Sequence, residues 1–110
     1  MTIEFHTPYG KISEKLVKSI RNDVMELSHI NKKITRAEIE FKEDTGILHG
    51  ENKVCEIRLS IYGDNLFVRR STENFEKSSK AAIKELKSLV RQQVKKQNEP
   101  PEFLLSTVKI

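Results

Sequence analysis

The chain has 110 residues, 36% of them hydrophobic and 33% charged, with a net charge of +4. That length holds one domain, and the composition is polar for a globular protein but not that of a disordered one. A single cysteine, Cys55, excludes an internal disulfide, no run of about 18 apolar residues is present to span a membrane, and MTIEFHTPYG lacks the pattern of a signal peptide, so a reducing, cytoplasmic location is expected.

Ile3 and Phe5 alternate with Glu4 and His6 and predict a short first strand, followed by a turn at TPYG. Ser13 is placed to cap a helix and Glu14 suits its first turn. Leu16, Ile20, Val24 and Leu27 then recur at helical spacing to about Ser28. HINKK reads as a linker. Over 34–42, Ala37, Ile39 and Phe41 alternate with Arg36, Glu38, Glu40 and Lys42, a half-buried strand. EDTGILHGEN is a loop. Over 54–62, Cys55, Ile57, Leu59 and Ile61 face one way, and Glu56, Arg58, Ser60 and Tyr62 the other. YGDN is a hairpin signal, and 66–71 is a further strand. Asn74 is placed to cap a second helix over 75–96, which NEPP ends because proline lacks an N–H. Residues 98–110 read as a tail containing the apolar FLLSTV.

One apolar sheet face and two helices with one apolar stripe each are satisfied together when both helices lie on that face. The expectation is an α+β two-layer sandwich, a four-stranded sheet in the order β-α-β-β-β-α, over residues 1–97.

The second helix carries the strongest signal. Residues 77–96 hold seven Lys or Arg against one Glu, a charge of +6, so the remainder of the chain sums to −2. On a helical projection Phe75, Ser79, Ala82, Ile83, Leu86, Val90 and Val94 form the apolar stripe. Lys77, Lys80, Lys84, Lys87, Arg91 and Lys95 form a second, narrow one. Ser78, Ala81, Glu85, Ser88 and Gln92 fill a nearly neutral third side. A solubilising helix interleaves acids with lysines at i, i+4. Here like charges adjoin, so a polyanion is expected to neutralise the stripe. Lys11, Lys15, Lys18 and Arg21 flank the apolar stripe of the first helix. Side by side, the two helices would line a common basic groove. Lys53, Arg58, Arg69 and Arg70 are further candidates for phosphate contact, and Tyr9, Tyr62 and Phe67 for stacking on bases, although packing or turn roles explain these aromatics as well.

Catalysis and metal binding have little behind them. His6, His29 and His49 are far apart and match no metal-ligand spacing. Cys55 falls on an apolar strand face and reads as a buried small hydrophobe. Glu38, Glu40 and Glu56 share a sheet face with Arg36, Lys42 and Arg58, where cross-strand ion pairs account for them. No glycine-rich phosphate loop is present. No catalytic residue, cofactor or metal is expected. Two other readings are a general double-stranded RNA binder and a protein-interaction module with an acidic partner.

The segments KISEKLVKSI, ITRAEIEF, NKVCEIRLSIYGDNLFV and TENFEKSSKAAIKELKSLV, in this order and spacing, resemble the ribosome hibernation promoting factors, also called ribosome-associated translation inhibitors or sigma-54 modulation proteins. The resemblance covers about residues 1 to 96. It implies a fold similar to double-stranded RNA-binding domains, without enzymatic activity. It also implies binding to the small ribosomal subunit in the mRNA and tRNA channel near the decoding centre. The partners would be rRNA and neighbouring ribosomal proteins, with no membrane involved and a monomer when free. Translation would be blocked and idle ribosomes preserved in stress or the stationary phase. The chain departs from the usual pattern at Lys77-Ser78-Ser79-Lys80 and at Arg69 and Arg70, which add positive charge. It resembles the short form, without the C-terminal domain that pairs ribosomes in long relatives.

Overall fold

The computed structural model describes residues 1–7, 12–46 and 50–98. Tyr9, Lys11, His49 and all of the expected tail except Asn98 lie outside the described residues. Six elements follow in chain order: β1 (Thr2–His6), α1 (Glu14–Ile30), β2 (Ile34–Glu43), β3 (Lys53–Ile61), β4 (Leu66–Thr72) and α2 (Phe75–Asn98). Together they make the expected α+β sandwich, a four-stranded sheet in spatial order β1-β2-β3-β4.

β1 pairs parallel with β2, Ile3 opposite Ala37 and Phe5 opposite Ile39. A parallel pair needs a crossover, which α1 supplies. β2–β3 and β3–β4 are antiparallel, with Ile39 opposite Ile57 and Ile57 opposite Val68. The turn between β3 and β4 depends on Gly63, whose φ of 90° disfavours any residue with a side chain. The Asp64 N–H donates to the Ile61 carbonyl at 3.1 Å. The Asn65 side chain accepts from the Ile61 N–H at 2.9 Å.

Both helix starts carry the caps that the sequence predicts. The Ser13 hydroxyl accepts from the Leu16 N–H at 3.1 Å, and the Asn74 side chain from the Lys77 N–H at 2.8 Å. α1 and α2 run side by side in the same direction. Ser13 and Glu76 line one end of the groove between them, and at the other end the Asn31 amide donates to Gln93 at 3.1 Å. Gln93 in turn donates to the Asp64 carbonyl at 2.9 Å and its carboxylate at 3.1 Å. This buried polar relay joins the end of α1, the β3–β4 turn and α2.

The core lies between sheet and helices: Ile20, Val24 and Leu27 from α1, Ala37, Ile39 and Phe41 from β2, Cys55, Ile57, Leu59 and Ile61 from β3, Val68 from β4, and Ala82, Ile83, Leu86 and Val90 from α2. One residue departs from the helical projection. Ser78, assigned to the neutral side of α2, is fully buried. It is accommodated because its hydroxyl bonds the Lys53 carbonyl and shares a 2.7 Å bond with the Thr72 hydroxyl. Gln93 is also buried, satisfied by the relay above.

Cys55 is buried, and desolvation pushes its thiol pKa up to about 12 from 9.0, with the Glu56 charge adding to the shift. The unfolded chain therefore loses this proton at lower pH than the folded one. Stability contributed by Cys55 is complete below pH 9.0 and declines as pH rises towards 12. Iodoacetamide at neutral pH should leave Cys55 unmodified in the native protein and label it in denaturant. Cys55→Ala should flatten the alkaline limb of the stability profile.

Candidate nucleic-acid interface

The cationic row of α2 is real, but its members are not equivalent. Lys77, Lys80, Lys84, Arg91 and Lys95 are exposed and Lys87 is half-buried. Lys77 pairs with Glu73 one turn earlier, and the ion pair holds the Glu73 carboxyl below its ordinary pKa and the Lys77 ammonium above its own. Lys80 lies 3.2 Å from Glu76. Lys87 lies 3.8 Å from Glu26 of α1. Three of the six cations thus have carboxylate partners, which corrects the expectation that the stripe gains nothing within the molecule. The acids are Glu73, Glu76 and Glu26, all outside the 77–96 window from which the charge was counted.

Among the described residues, Lys84, Arg91 and Lys95 have no ion-pair partner. With Lys87, Ser88 and Gln92 they line a shallow depression of about 420 Å³ along the outer side of α2. Ser88 and Gln92 were assigned to a neutral side. They adjoin the cations, and the Gln92 amide donates to the Ser88 hydroxyl at 3.3 Å. The surface this creates is an unpaired cationic row with small polar groups at its margin, suited to a phosphate backbone.

A common basic groove between the helices does not form. Lys15 and Lys80 do line the interhelical cleft of about 270 Å³, but Asp23 and Glu76 line it as well. Lys18 and Arg21 line a separate depression on α1 with Ile12, Glu14 and Val17, which Lys15 also borders. The Arg21 guanidinium sits 5.4 Å from the centre of the Phe5 ring on β1. The sequence held this information: on a helical projection Asp23 and Glu26 fall to one side of Lys15, and Lys18 and Arg21 to the other.

Three of the four remaining candidates are engaged within the domain. Lys53 pairs with Glu43 at 2.7 Å. Arg69 pairs with Asp44 at 2.8 Å, and the Asp44 carboxyl is held below its usual pKa first by the Gly46 N–H and then by Arg69. Arg70 pairs with Glu85 of α2 at 2.6 Å. Arg58 instead lies over the Phe67 ring, 5.3 Å from its centre. On the outer sheet face Arg36 bridges Glu4 on β1 at 2.6 Å and Glu38 on its own strand at 3.0 Å, and Lys42 pairs across strands with Glu56, so the expected cross-strand pairing is present for Glu56 but not for Glu40 or Arg58 among the described residues. No helix among the described residues is long and apolar enough to cross a membrane.

The profile of the family described as sigma 54 modulation protein / S30EA ribosomal protein matches residues 3–98. The chain belongs to this family. Solved structures agree in fold. A ribosomal subunit interface protein from Coxiella burnetii superposes with a TM-score of 0.69 at 13% identity, covering 84% of this chain and 97% of that one. The N-terminal domain of Protein Y from Thermus thermophilus gives a TM-score of 0.68 at 14% identity, covering 84% and 98%. No curated protein sequence matches the chain. The family makes this a ribosome-associated factor.

Proposed function

We propose that the protein is a ribosome hibernation factor of the cytoplasm. It binds the small ribosomal subunit in the mRNA and tRNA channel near the decoding centre, and it blocks translation while protecting idle ribosomes in stress or slow growth. The observation that carries this reading is the row of Lys84, Arg91 and Lys95, exposed on one side of a helix and, among the described residues, without carboxylate partners. The mechanism is occlusion. Phosphates of folded rRNA neutralise the row and release counterions, which supplies most of the affinity. Folded RNA is read by shape and backbone more than by base identity. Lys84 and Lys95 act as flexible point charges, and Arg91 offers a planar fork for bidentate phosphate contact. Lys77, Lys80 and Lys87 take part only by exchanging a carboxylate for a phosphate, so each contributes less. Lys15 and Lys18 of α1 contribute from further round the surface.

Cosedimentation with vacant ribosomes and isolated subunits tests this. The wild type should bind the small subunit saturably, with one copy per subunit, at low salt. Lys84→Glu/Arg91→Glu/Lys95→Glu should abolish binding without unfolding the domain, because all three side chains are exposed. Absence of small-subunit binding by the folded wild type at low salt would overturn the proposal.

A further inference from the structure

A second group of unpaired cations and exposed aromatic rings lies away from the α2 row. Tyr62, in the β3–β4 turn, is 82% exposed, and Phe67 on β4 is 49% exposed. Most aromatic rings in a small domain are drawn into the core, so two exposed rings on neighbouring segments need a reason. The backbone sets cations beside them. The Tyr62 N–H donates to the Lys33 carbonyl at 3.2 Å, which fixes the α1–β2 turn against the hairpin. Lys32 and Lys33 in that turn are both exposed, and among the described residues neither has a carboxylate partner. Arg58, four residues before Tyr62, stands opposite Phe67 in register and is also exposed.

Arg58 has acids nearby and does not use them. Glu38 is its partner in register on β2, but Arg36 holds Glu38 at 3.0 Å. Glu56 is taken by Lys42. Of the other acids near the strip, Glu40 lines a small cavity with Arg58, Glu38 and Glu56 but forms no ion pair with Arg58 among the described residues, and the Asp64 carboxylate is bonded by the Gln93 amide at 3.1 Å. The Arg58 guanidinium lies over the Phe67 ring and has no ion-pair partner among the described residues. The strip Lys32, Lys33, Tyr62, Arg58, Phe67 therefore combines three unpaired positive charges with two exposed rings.

We infer that this strip is a second RNA-contact surface, one that takes an unpaired, single-stranded segment. Bases stack on Phe67 and Tyr62 while Lys32, Lys33 and Arg58 meet the phosphates. The chemistry differs from that of the α2 row. Stacking needs splayed bases, which a duplex does not offer, whereas a row of helix cations needs only a backbone. A charged surface without rings would fit a duplex. An apolar surface without free cations would fit a protein. Having both selects a single strand. With the α2 row on the helix layer, the domain would hold two RNA segments on different sides. The inference goes beyond the occlusion reading, because the strip is expected to bind a single strand whether or not α2 meets rRNA.

The test is an NMR titration of the full chain with a short oligouridylate, compared with a short RNA duplex. Oligouridylate should shift resonances of Lys32, Lys33, Arg58, Tyr62 and Phe67. These shifts should persist in Lys84→Ala/Arg91→Ala/Lys95→Ala. Tyr62→Ala/Phe67→Leu, which keeps apolar volume on β4, should weaken oligouridylate about tenfold and leave duplex binding nearly unchanged. Lys32→Ala/Lys33→Ala should weaken it and reduce its salt dependence. Shifts confined to α2, or unchanged affinity in the folded aromatic variant, would overturn the inference. If that variant keeps oligouridylate affinity but loses ribosome cosedimentation, the strip meets a protein and the RNA assignment is equally overturned. Failure of wild-type cosedimentation would bear on the occlusion reading alone, since the oligouridylate titration contains no ribosome.

Discussion

Replacing Lys84, Arg91 and Lys95 together by alanine should make ribosome affinity much less sensitive to salt. Each phosphate neutralised by a cation contributes about 0.9 to the slope of log affinity against log salt. Three lost contacts therefore make the slope shallower by about 2.7, so a fourfold rise in salt weakens the wild type about 40-fold more than the variant. The comparison that isolates the cause is Lys77→Ala/Lys80→Ala. These lysines already hold Glu73 and Glu76, so their contact with phosphate is partly offset by an ion pair that must open. Their removal should change the slope by clearly less than two full contacts. Cosedimentation across a salt series gives all three slopes. An unchanged slope in the triple variant would move the contact off this side of α2.

Phe41→Ala should cost about 3–5 kcal/mol, a large part of the about 5–15 kcal/mol that holds a small domain folded. Phe41 is only 2% exposed and belongs to the core between sheet and helices. Its ring meets Phe75 of α2 edge to face, with centroids 5.5 Å apart and planes at 87°. Truncation leaves a cavity beneath the start of α2 and removes a ring pair that links sheet to helix. Phe41→Leu, which keeps most of the volume, should cost far less. Urea unfolding with the slope held constant between variants provides the measurement, and a loss below about 1 kcal/mol for Phe41→Ala would mean that the site collapses around the gap.

The elements were legible because local pattern and local chemistry agreed. Cys55, Ile57, Leu59 and Ile61 alternate because one sheet face is buried, and Ser13 and Asn74 stand where orphan helix N–H groups need acceptors. Contacts between elements were not legible in the same way. Lys87 meets Glu26 across 61 positions of sequence, and nothing within α2 announces it. Ser78 is buried because the Lys53 carbonyl and the Thr72 hydroxyl receive it, which a helical projection does not contain. The cationic row was read correctly as a row, yet its division into paired and free members depends on acids supplied by other segments. Lys32 and Lys33 read as linker residues. The pairing of Ile34 with Ile61 and the bond from Tyr62 to Lys33 bring them to the aromatic strip.

α2 is fastened at both ends. Near its start Ser78 and Phe75 tie it to β3, β4 and Phe41. Near its end Gln93 ties it to α1 and the hairpin. A rod pinned in this way cannot tilt or slide when it meets a partner, so Lys84, Arg91 and Lys95 keep fixed spacing along its axis before any encounter. The loss of freedom on association then falls on three side chains, at about 0.5–1.5 kcal/mol each, and not on the backbone. Loosening the far clamp, as in Gln93→Ala, would leave every cation in place and still slacken the grip, because the helix would have to be stilled anew at each binding event.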